Sequence, residues 1–507
     1  MGTKSLSLLC QKRFPPSKNV FSELKGYVLR FSNVAYTLSG LWLILSGSFL
    51  LPLGFSIYER DGLYLLFISQ MAGMALLSLL LRFLTSAPTE LTVREGFLAV
   101  SLSWITLSLF GCVPFMASGF IPGFTDAFFE TISGFTTTGA TILEDIEALP
   151  KSLLVWRNMT QWLGGMGVIA LAVAILPFLG AGGLQLFRAE VPGPIKDKIS
   201  PRISETAKIL WGVYLFLTCA EIILLMLGGL SFFESLCTTF GTLATGGFCP
   251  RNASIGAYAS PYVQYVIVLF MFIAGVNFSL HYWALRRRFK SYFANPEFCF
   301  FTWIVILAFV CIMAIRFFHG ESLGEDLLRS TLFQTVSIVT TTGFVTQDYE
   351  KWPLVTRLVL LALMFIGGCT SSTGGGIKNV RIQVLLKFIG SEVKKIFQHH
   401  GVFPVKIGDK SVPESVVSNV IAFVALYLLI ASFGVLVMAG LGLDLDTSLG
   451  AVAATLGNVG PGIGTVGAVE NYSHIPLAGK WVLSALMLVG RLEIFTVLVI
   501  FTRRFWD

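Results

Sequence analysis

Ten apolar stretches, each about 20 residues long and able to cross a bilayer as a helix, divide this chain: Phe31 to Pro52, Gly62 to Leu81, Gly96 to Ala117, Met159 to Phe187, Ile209 to Leu230, Tyr262 to Leu285, Phe298 to Ile315, Leu358 to Ile377, Val416 to Leu443 and Trp481 to Phe501. Such a chain folds as an all-α polytopic membrane protein, because a span in lipid has to satisfy its own backbone hydrogen bonds. Composition agrees: of 507 residues 54% are hydrophobic and 13% charged, about half the charge of a soluble domain. Soluble enzymes, secreted disulfide scaffolds, disordered chains and nucleic-acid binders are excluded together.

An even number of spans puts both termini on one side. If that side is cytoplasmic, 26 of the 36 Lys and Arg residues fall in inner segments, as positively charged loops require. By the same division 18 of the 29 acidic residues lie in outer segments or within spans. The net charge of +7 is therefore an imbalance between two faces and no sign of nucleic acid. An acidic outer face would concentrate cations weakly, and solvated loops explain it equally well. Residues 1–30 are basic without an apolar core, so they read as a cytoplasmic anchor and not a cleaved signal. Leu6 stands where N-myristoylation requires Ser or Thr. The eight cysteines and five histidines show no framework or metal-ligand spacing. They read as reduced core residues and, at His399 and His400, as a solvated pair.

A second pattern lies between alternate spans. Four times an apolar segment of about a dozen residues, too short to span, runs into a glycine loop. The first is Phe128-Phe129-Glu130-Thr131-Ile132-Ser133-Gly134-Phe135-Thr136-Thr137-Thr138-Gly139, and the third, Leu332-Phe333-Gln334-Thr335-Val336-Ser337-Ile338-Val339-Thr340-Thr341-Thr342-Gly343, matches it in register. The second closes on Ala244-Thr245-Gly246-Gly247-Phe248 and the fourth on Asn458-Val459-Gly460-Pro461-Gly462. Taking Gly139, Gly246, Gly343 and Gly460 as equivalent makes an internal repeat with a period of roughly 100 residues. The units, each reading span, short helix, loop, span, are residues 94–190, 204–290, 297–395 and 412–507. Residues 31–85 form an extra two-span hairpin after the N-terminal segment. Ser231 with Glu234 predicts a capping box before the second short helix, and Asp446-Thr447 offers a cap before the fourth.

Irregular backbone at membrane depth is tolerated where it is buried in protein or lines a water-filled path. A short helix that ends there directs its carbonyl end, about half a negative charge, into the membrane. Successive loop carbonyls can then replace the hydration shell of a cation, with glycine permitting the backbone angles this needs. Four such loops around one axis would make one cation filter. The plainer reading, that each Thr-Thr-Gly segment is an extracellular turn, has to hold independently at four matching positions.

Two further features stand out. Gly367-Gly368-Cys369-Thr370-Ser371-Ser372-Thr373-Gly374-Gly375-Gly376 should break its span inside the membrane, as a strap beneath the loops or as an ordinary cytoplasmic turn. It is no phosphate loop, since no Gly-Lys-Ser or Gly-Lys-Thr follows. Arg491 lies within an apolar span, and an intramembrane charge is a functional hypothesis by default. Its structural alternative is an ion pair with Glu221 or Glu493. Enzyme signatures such as His-Glu-x-x-His are absent.

The residues resemble the Trk/Ktr/HKT superfamily of potassium transporters, its bacterial TrkH type most, over nearly the whole chain. The signs are Thr136 to Thr141, Trp162-Leu163-Gly164-Gly165-Met166-Gly167, Ala244 to Phe248, Gly367 to Lys378, Asn458 to Gly462 and Gly490-Arg491-Leu492-Glu493-Ile494-Phe495. The resemblance implies four pore repeats around one pore in each subunit. Its potassium filter would comprise Thr137, Thr138, Gly139, Thr245, Gly246, Thr342, Gly343, Asn458, Val459 and Gly460. Glycine in all four loops implies potassium preference, since related plant transporters with Ser in the first loop prefer sodium; Pro461 departs from the other loops. The resemblance also makes residues 367–376 a gate and Arg491 an electrostatic barrier in the path. It implies a homodimer in the bacterial inner membrane, seated on a cytosolic nucleotide-binding regulatory subunit, with membrane lipid around it. No nucleotide motif or other cofactor belongs to this chain, and potassium is the transported ligand. A secondary transporter coupling potassium entry to sodium or protons is the alternative; units that all run span out, loop, span in favour a pore.

Overall fold

The computed structural model describes residues 29–86, 91–175, 203–399 and 401–506. Most of the N-terminal basic segment, the end of the fourth apolar stretch and most of the basic loop after it lie outside the described residues, as does His400.

The principal helices, in chain order, are α1 Phe31–Ser48, α2 Leu50–Glu59, α3 Tyr64–Leu84, α4 Val93–Gly111, α5 Val113–Ala117, α6 Phe124–Phe135, α7 Lys151–Ile175, α8 Ile203–Leu227, α9 Phe232–Leu243, α10 Pro261–Ala274, α11 Phe278–Leu285, α12 Pro296–Phe318, α13 Glu325–Val339, α14 Leu354–Ile366, α15 Asn379–Phe397, α16 Glu414–Gly440, α17 Leu445–Leu456, α18 Leu477–Arg491 and α19 Ile494–Leu498. Strand structure among the described residues is one two-residue hairpin pairing Lys406–Ile407 with Lys410–Ser411.

Among the described residues six helical segments are long and apolar enough to cross a membrane: Phe31–Glu59, Tyr64–Leu84, Val93–Ala117, Thr206–Leu227, Pro296–Phe318 and Glu414–Gly440. Their outward side chains, such as Leu76, Phe83, Leu307, Leu429 and Leu436, are exposed, as lipid-facing residues should be. The start of α4 is capped: Thr92 Oγ1 accepts from Glu95 N at 3.3 Å, while Glu95 Oε2 accepts from Thr92 N at 2.9 Å, a capping box.

Three expected spans are not continuous helices. The stretch Tyr262 to Leu285 bends by 106° between α10 and α11, and Trp481 to Phe501 bends by 113° after α18. The stretch Leu358 to Ile377 is helical only to Ile366. The physical causes differ. Gly275 and Val276 leave the helix and Asn277 restarts it by accepting from Ser279 N at 2.9 Å; Glu493 takes a left-handed backbone at φ 60°; and the glycine run that ends α14 is the break expected from its composition. All three breaks lie in the second span of a unit, directly beside the end of a short helix.

Those short helices, α6, α9, α13 and α17, occupy the centre. Almost every residue of α9 from Ser235 to Leu243, and of α6 from Ala127 to Phe135, is buried. Two large apolar clusters enclose them, one built on α3, α6, α16 and α18 and the other on α8, α10, α12 and α13. The capping box expected at Ser231 and Glu234 forms. Before α17 the cap is Asp444, which accepts from Thr447 N at 3.3 Å, and Asp446 sits in the first turn. This corrects the expected Asp446-Thr447 cap: the helix begins two residues earlier than the periodicity placed it.

Candidate functional site

Each short helix runs out into a loop of one repeated conformation. One residue past the C-cap, the backbone turns left-handed at Thr137 (φ 52°), Thr245 (φ 52°), Thr341 (φ 59°) and Asn458 (φ 54°). Two residues on it does so again at Gly139 (φ 83°), Gly247 (φ 77°), Gly343 (φ 80°) and Gly460 (φ 99°). The residue between them, Thr138, Gly246, Thr342 or Val459, donates its N–H at 2.8 Å to the carbonyl of Ser133, Gly241, Ser337 or Ala454, always five positions back.

This register corrects the sequence alignment in one loop. Gly247, not Gly246, matches Gly139, Gly343 and Gly460, and Gly246 stands where the other loops have Thr138, Thr342 and Val459. Two adjacent glycines hide which one takes the left-handed angle. The signal that resolves them is the following phenylalanine, because Gly247-Phe248 repeats Gly343-Phe344. Thr341, absent from the expected filter set, belongs to it by the same register.

The four loops meet in a closed cycle. A Cβ on Gly139 would collide with the carbonyl oxygen of Gly246, one on Gly247 with that of Thr342, one on Gly343 with that of Val459, and one on Gly460 with that of Thr138. Each loop therefore presses its left-handed glycine against the carbonyl of the next, and the fourth returns to the first. Side chains tie the cycle further. The Thr136 and Thr138 hydroxyls lie 2.8 Å apart, as do those of Thr340 and Thr342. Asn458 Nδ2 donates to Thr138 Oγ1 and to the Met487 carbonyl, at 2.9 Å each. Gln161, fully buried on α7, donates through Nε2 to the Gly246 carbonyl at 2.6 Å and accepts from Phe248 N through Oε1 at 3.0 Å.

A buried ion pair braces the first two loops against each other. Arg157 Nε reaches Glu130 Oε1 at 2.7 Å, with both side chains essentially inaccessible. The same guanidinium donates to the Cys249 carbonyl at 3.2 Å and lies 3.6 Å over the Phe248 ring. Glu130 in turn accepts from Thr141 Oγ1 and Ile142 N at 3.0 and 2.9 Å. Removing one member of such a pair strands the other charge, at a cost of about 3 kcal/mol or more. Glu130→Gln is thus expected to lower the thermal stability of the purified protein in detergent by several degrees, which light scattering or tryptophan fluorescence on heating would measure. More exposed loops are linked as well: Asp145 accepts from the Asn252 amide at 2.8 Å, and this bond is the main cause holding its carboxyl below the usual range.

The glycine run Gly367 to Gly376 is a buried strap, stretched between α14 and α15. Thr373 Oγ1 donates to the Leu243 carbonyl at 2.9 Å, and Gly375 N donates to Thr341 Oγ1 at 2.7 Å. A Cβ on Gly374 would stand 3.0 Å from the Thr340 carbonyl, and one on Gly375 would strike that of Gly457. The strap therefore lies across the carbonyl ends of α9, α13 and α17. It is pinned at its edges, where Thr370 N and Oγ1 donate to Glu297 Oε1 at 2.7 and 3.0 Å and Lys378 Nζ donates to the Gly374 carbonyl at 2.6 Å. Ser371, at φ 58°, passes its carbonyl to Phe278 N at 3.2 Å.

Arg491 joins this layer. Its Nη1 donates to the Thr373 carbonyl at 2.6 Å, while Nε and Nη2 are buried with no partner among the described residues. Neither expected acid pairs with it: Glu493 binds Arg381 at 2.6 Å, and Glu221 appears in no ion pair among the described residues. A repeat unnoticed from the loops alone explains the position. Gln161-Trp162-Leu163-Gly164-Gly165, Met271-Phe272-Ile273-Ala274-Gly275, Met364-Phe365-Ile366-Gly367-Gly368 and Met487-Leu488-Val489-Gly490-Arg491 are one motif in the second span of each unit. Its small residues admit backbone closely: a Cβ on Gly164 would strike the Phe135 carbonyl and one on Gly490 that of Leu456. Arg491 replaces the last glycine of the motif, and Gln161 replaces its methionine.

The expected filter residues are thus brought together in the cycle and the expected gate residues lie across it, with Arg491 bonded to the strap. No group of three or more His, Cys, Asp or Glu side chains suited to a metal occurs among the described residues. Residues 66–506 match the family described as "TrkH: Cation transport protein". The Trk system potassium uptake protein TrkH of Escherichia coli K12 is 40% identical over 94% of this chain and 100% of its own length. That of Vibrio parahaemolyticus serotype O3:K6 is 44% identical over 82% of this chain and 87% of its own. The crystal structure of the potassium transporter TrkH from Vibrio parahaemolyticus superimposes with a TM-score of 0.87 at 37% identity, covering 94% of this chain and 100% of that one.

Proposed function

The chain belongs to the TrkH family of cation transport proteins, and from that premise we propose that it takes up potassium across the bacterial cytoplasmic membrane through the cycle of four loops. The observation that carries this reading is the closure of the cycle, glycine against carbonyl, in all four loops. A dehydrating potassium ion exchanges water oxygens for the carbonyl oxygens of the four loops, and the four helix carbonyl ends add negative potential at the same place. Filter residues are Thr137, Thr138, Gly139, Thr245, Gly246, Gly247, Thr341, Thr342, Gly343, Asn458, Val459 and Gly460.

Residues 367–376 and Arg491 are the closed gate in this proposal. The strap lies across the carbonyl ends through which an ion leaving the filter would pass, and Arg491 adds a positive charge there. Opening requires the bonds at Thr370, Thr373 and Gly375 to be exchanged. A cytosolic regulatory subunit carrying the nucleotide would drive that exchange from the basic segments around α15, in a homodimer whose termini are cytoplasmic. The basic residues of those segments also suit anionic lipid headgroups.

Rubidium uptake into liposomes holding the purified protein, loaded with potassium inside, tests the transport reading. Uptake that follows the electrical gradient alone, and that external potassium blocks far better than sodium, is expected. Uptake that requires a sodium or proton gradient would replace the pore with a coupled symporter and leave the filter in place.

A further inference from the structure

Four carbonyls close the cycle, but their supports are unequal. Thr138, Thr342 and Val459 are β-branched and fully buried, and β-branched side chains restrict their own rotamers and backbone. The two threonine hydroxyls are also hydrogen-bonded, to Thr136 and Thr340. The second loop has Gly246 there, the residue with the widest backbone freedom. A Cβ at Gly246 would lie 2.5 Å from Gln161 Cδ, so the space that holds a side chain in the other loops holds the Gln161 carboxamide in this one. That carboxamide grips the loop on both sides of Gly247, at the Gly246 carbonyl and the Phe248 N–H. Among the described residues Gly246 is the one of the four matching carbonyls that accepts a hydrogen bond. In the three other units the motif places Met271, Met364 and Met487 at this position, none of which can donate.

We propose that Gln161 is a positioning residue for the filter: its carboxamide replaces the side chain missing at Gly246, fixes that carbonyl and so sets the discrimination among alkali cations. This inference rests on the filter reading given above. Without the amide donor the Gly246 peptide is free to rotate, and a ring with one free carbonyl can contract around a smaller cation. Gln161 acts through the carbonyl and need not touch the ion.

Two variants separate the donor from the packing. Gln161→Glu keeps the shape and can still accept from Phe248 N; assayed at alkaline pH, where it is the carboxylate, it cannot donate to a carbonyl, whereas the protonated acid can. Gln161→Met installs the residue of the other three units. Rubidium uptake in liposomes, competed by sodium and lithium, should show the potassium-over-sodium ratio falling about threefold to tenfold in both, the worth of one hydrogen bond. Both variants should still elute as a single species in detergent and take up rubidium above protein-free liposomes. An unchanged ratio at alkaline pH in folded Gln161→Glu overturns the proposal, and so does a fall confined to Gln161→Met, which would assign the effect to packing. Failure of both variants to fold also overturns it, because a residue that tunes one carbonyl leaves the fold intact. Absence of potassium-selective uptake in the unaltered protein would instead sink the filter reading itself.

Discussion

Replacing Gly139 with serine is expected to cut potassium-over-sodium discrimination at least about tenfold while leaving a folded, cation-conducting protein. Two costs coincide at this residue. Its backbone sits at φ 83°, a conformation that costs an L-residue roughly 1–2 kcal/mol. Its Cβ would also enter the space of the Gly246 carbonyl oxygen, so that carbonyl has to move. The second cost is what reaches function, because the displaced oxygen belongs to the cycle and is the one gripped by Gln161. Gly229 provides the control. It has a similar left-handed backbone, at φ 93°, with nothing within 4 Å of its Cβ position. Gly229→Ser should therefore lower thermal stability modestly and leave ion discrimination unchanged. Rubidium uptake competed by sodium, measured for both variants, distinguishes backbone strain from damage to the ring. Unaltered discrimination in Gly139→Ser would remove the first loop from the filter.

The spans and the short central helices could be read from the sequence because each depends on local quantities, length and apolarity, that lipid makes decisive. The capping box at Ser231 and Glu234 was legible for the same reason. What stayed hidden depended on contacts between distant segments. The choice between Gly246 and Gly247 is made by neighbours: Gln161 fills the side-chain space of the first, and the Thr342 carbonyl abuts the second. At the bend after Ala274, Gly275 gives its carbonyl to Cys369 N at 2.8 Å, a partner 94 residues away. Apolar composition alone carried Tyr262 to Leu285 across as one helix. The bend near Glu493 involves an acid drawn to Arg381, likewise invisible in the hydropathy of the stretch. The motif ending in Gly165, Gly275, Gly368 and Arg491 was legible all along, once the second spans are aligned with each other and not only the loops.

That alignment gives the other large effect. Arg491→Gly, which restores the residue of the other three units, is expected to raise rubidium flux in the absence of any regulatory subunit about tenfold or more. Arg491 holds a buried positive charge whose one partner among the described residues is the Thr373 carbonyl, with no acid to balance it. A cation within about 8 Å of that charge is opposed by roughly 2 kcal/mol at an effective dielectric of about 20, equivalent to roughly thirtyfold in occupancy. Removing the side chain also deletes one of the bonds that hold the strap at Thr373, leaving the bond to the Leu243 carbonyl in place, so the barrier and part of the latch are lost together. Two companions divide these contributions. Arg491→Lys keeps the charge and should conduct little more than the unaltered protein, whereas Arg491→Met removes the charge and keeps much of the bulk. High flux in Arg491→Met assigns the closed state to electrostatics, and low flux in Arg491→Met with high flux in Arg491→Gly assigns it to steric closure. If all three conduct like the unaltered protein, as judged on samples that elute as folded protein, Arg491 is not in the path, and the strap alone must close it.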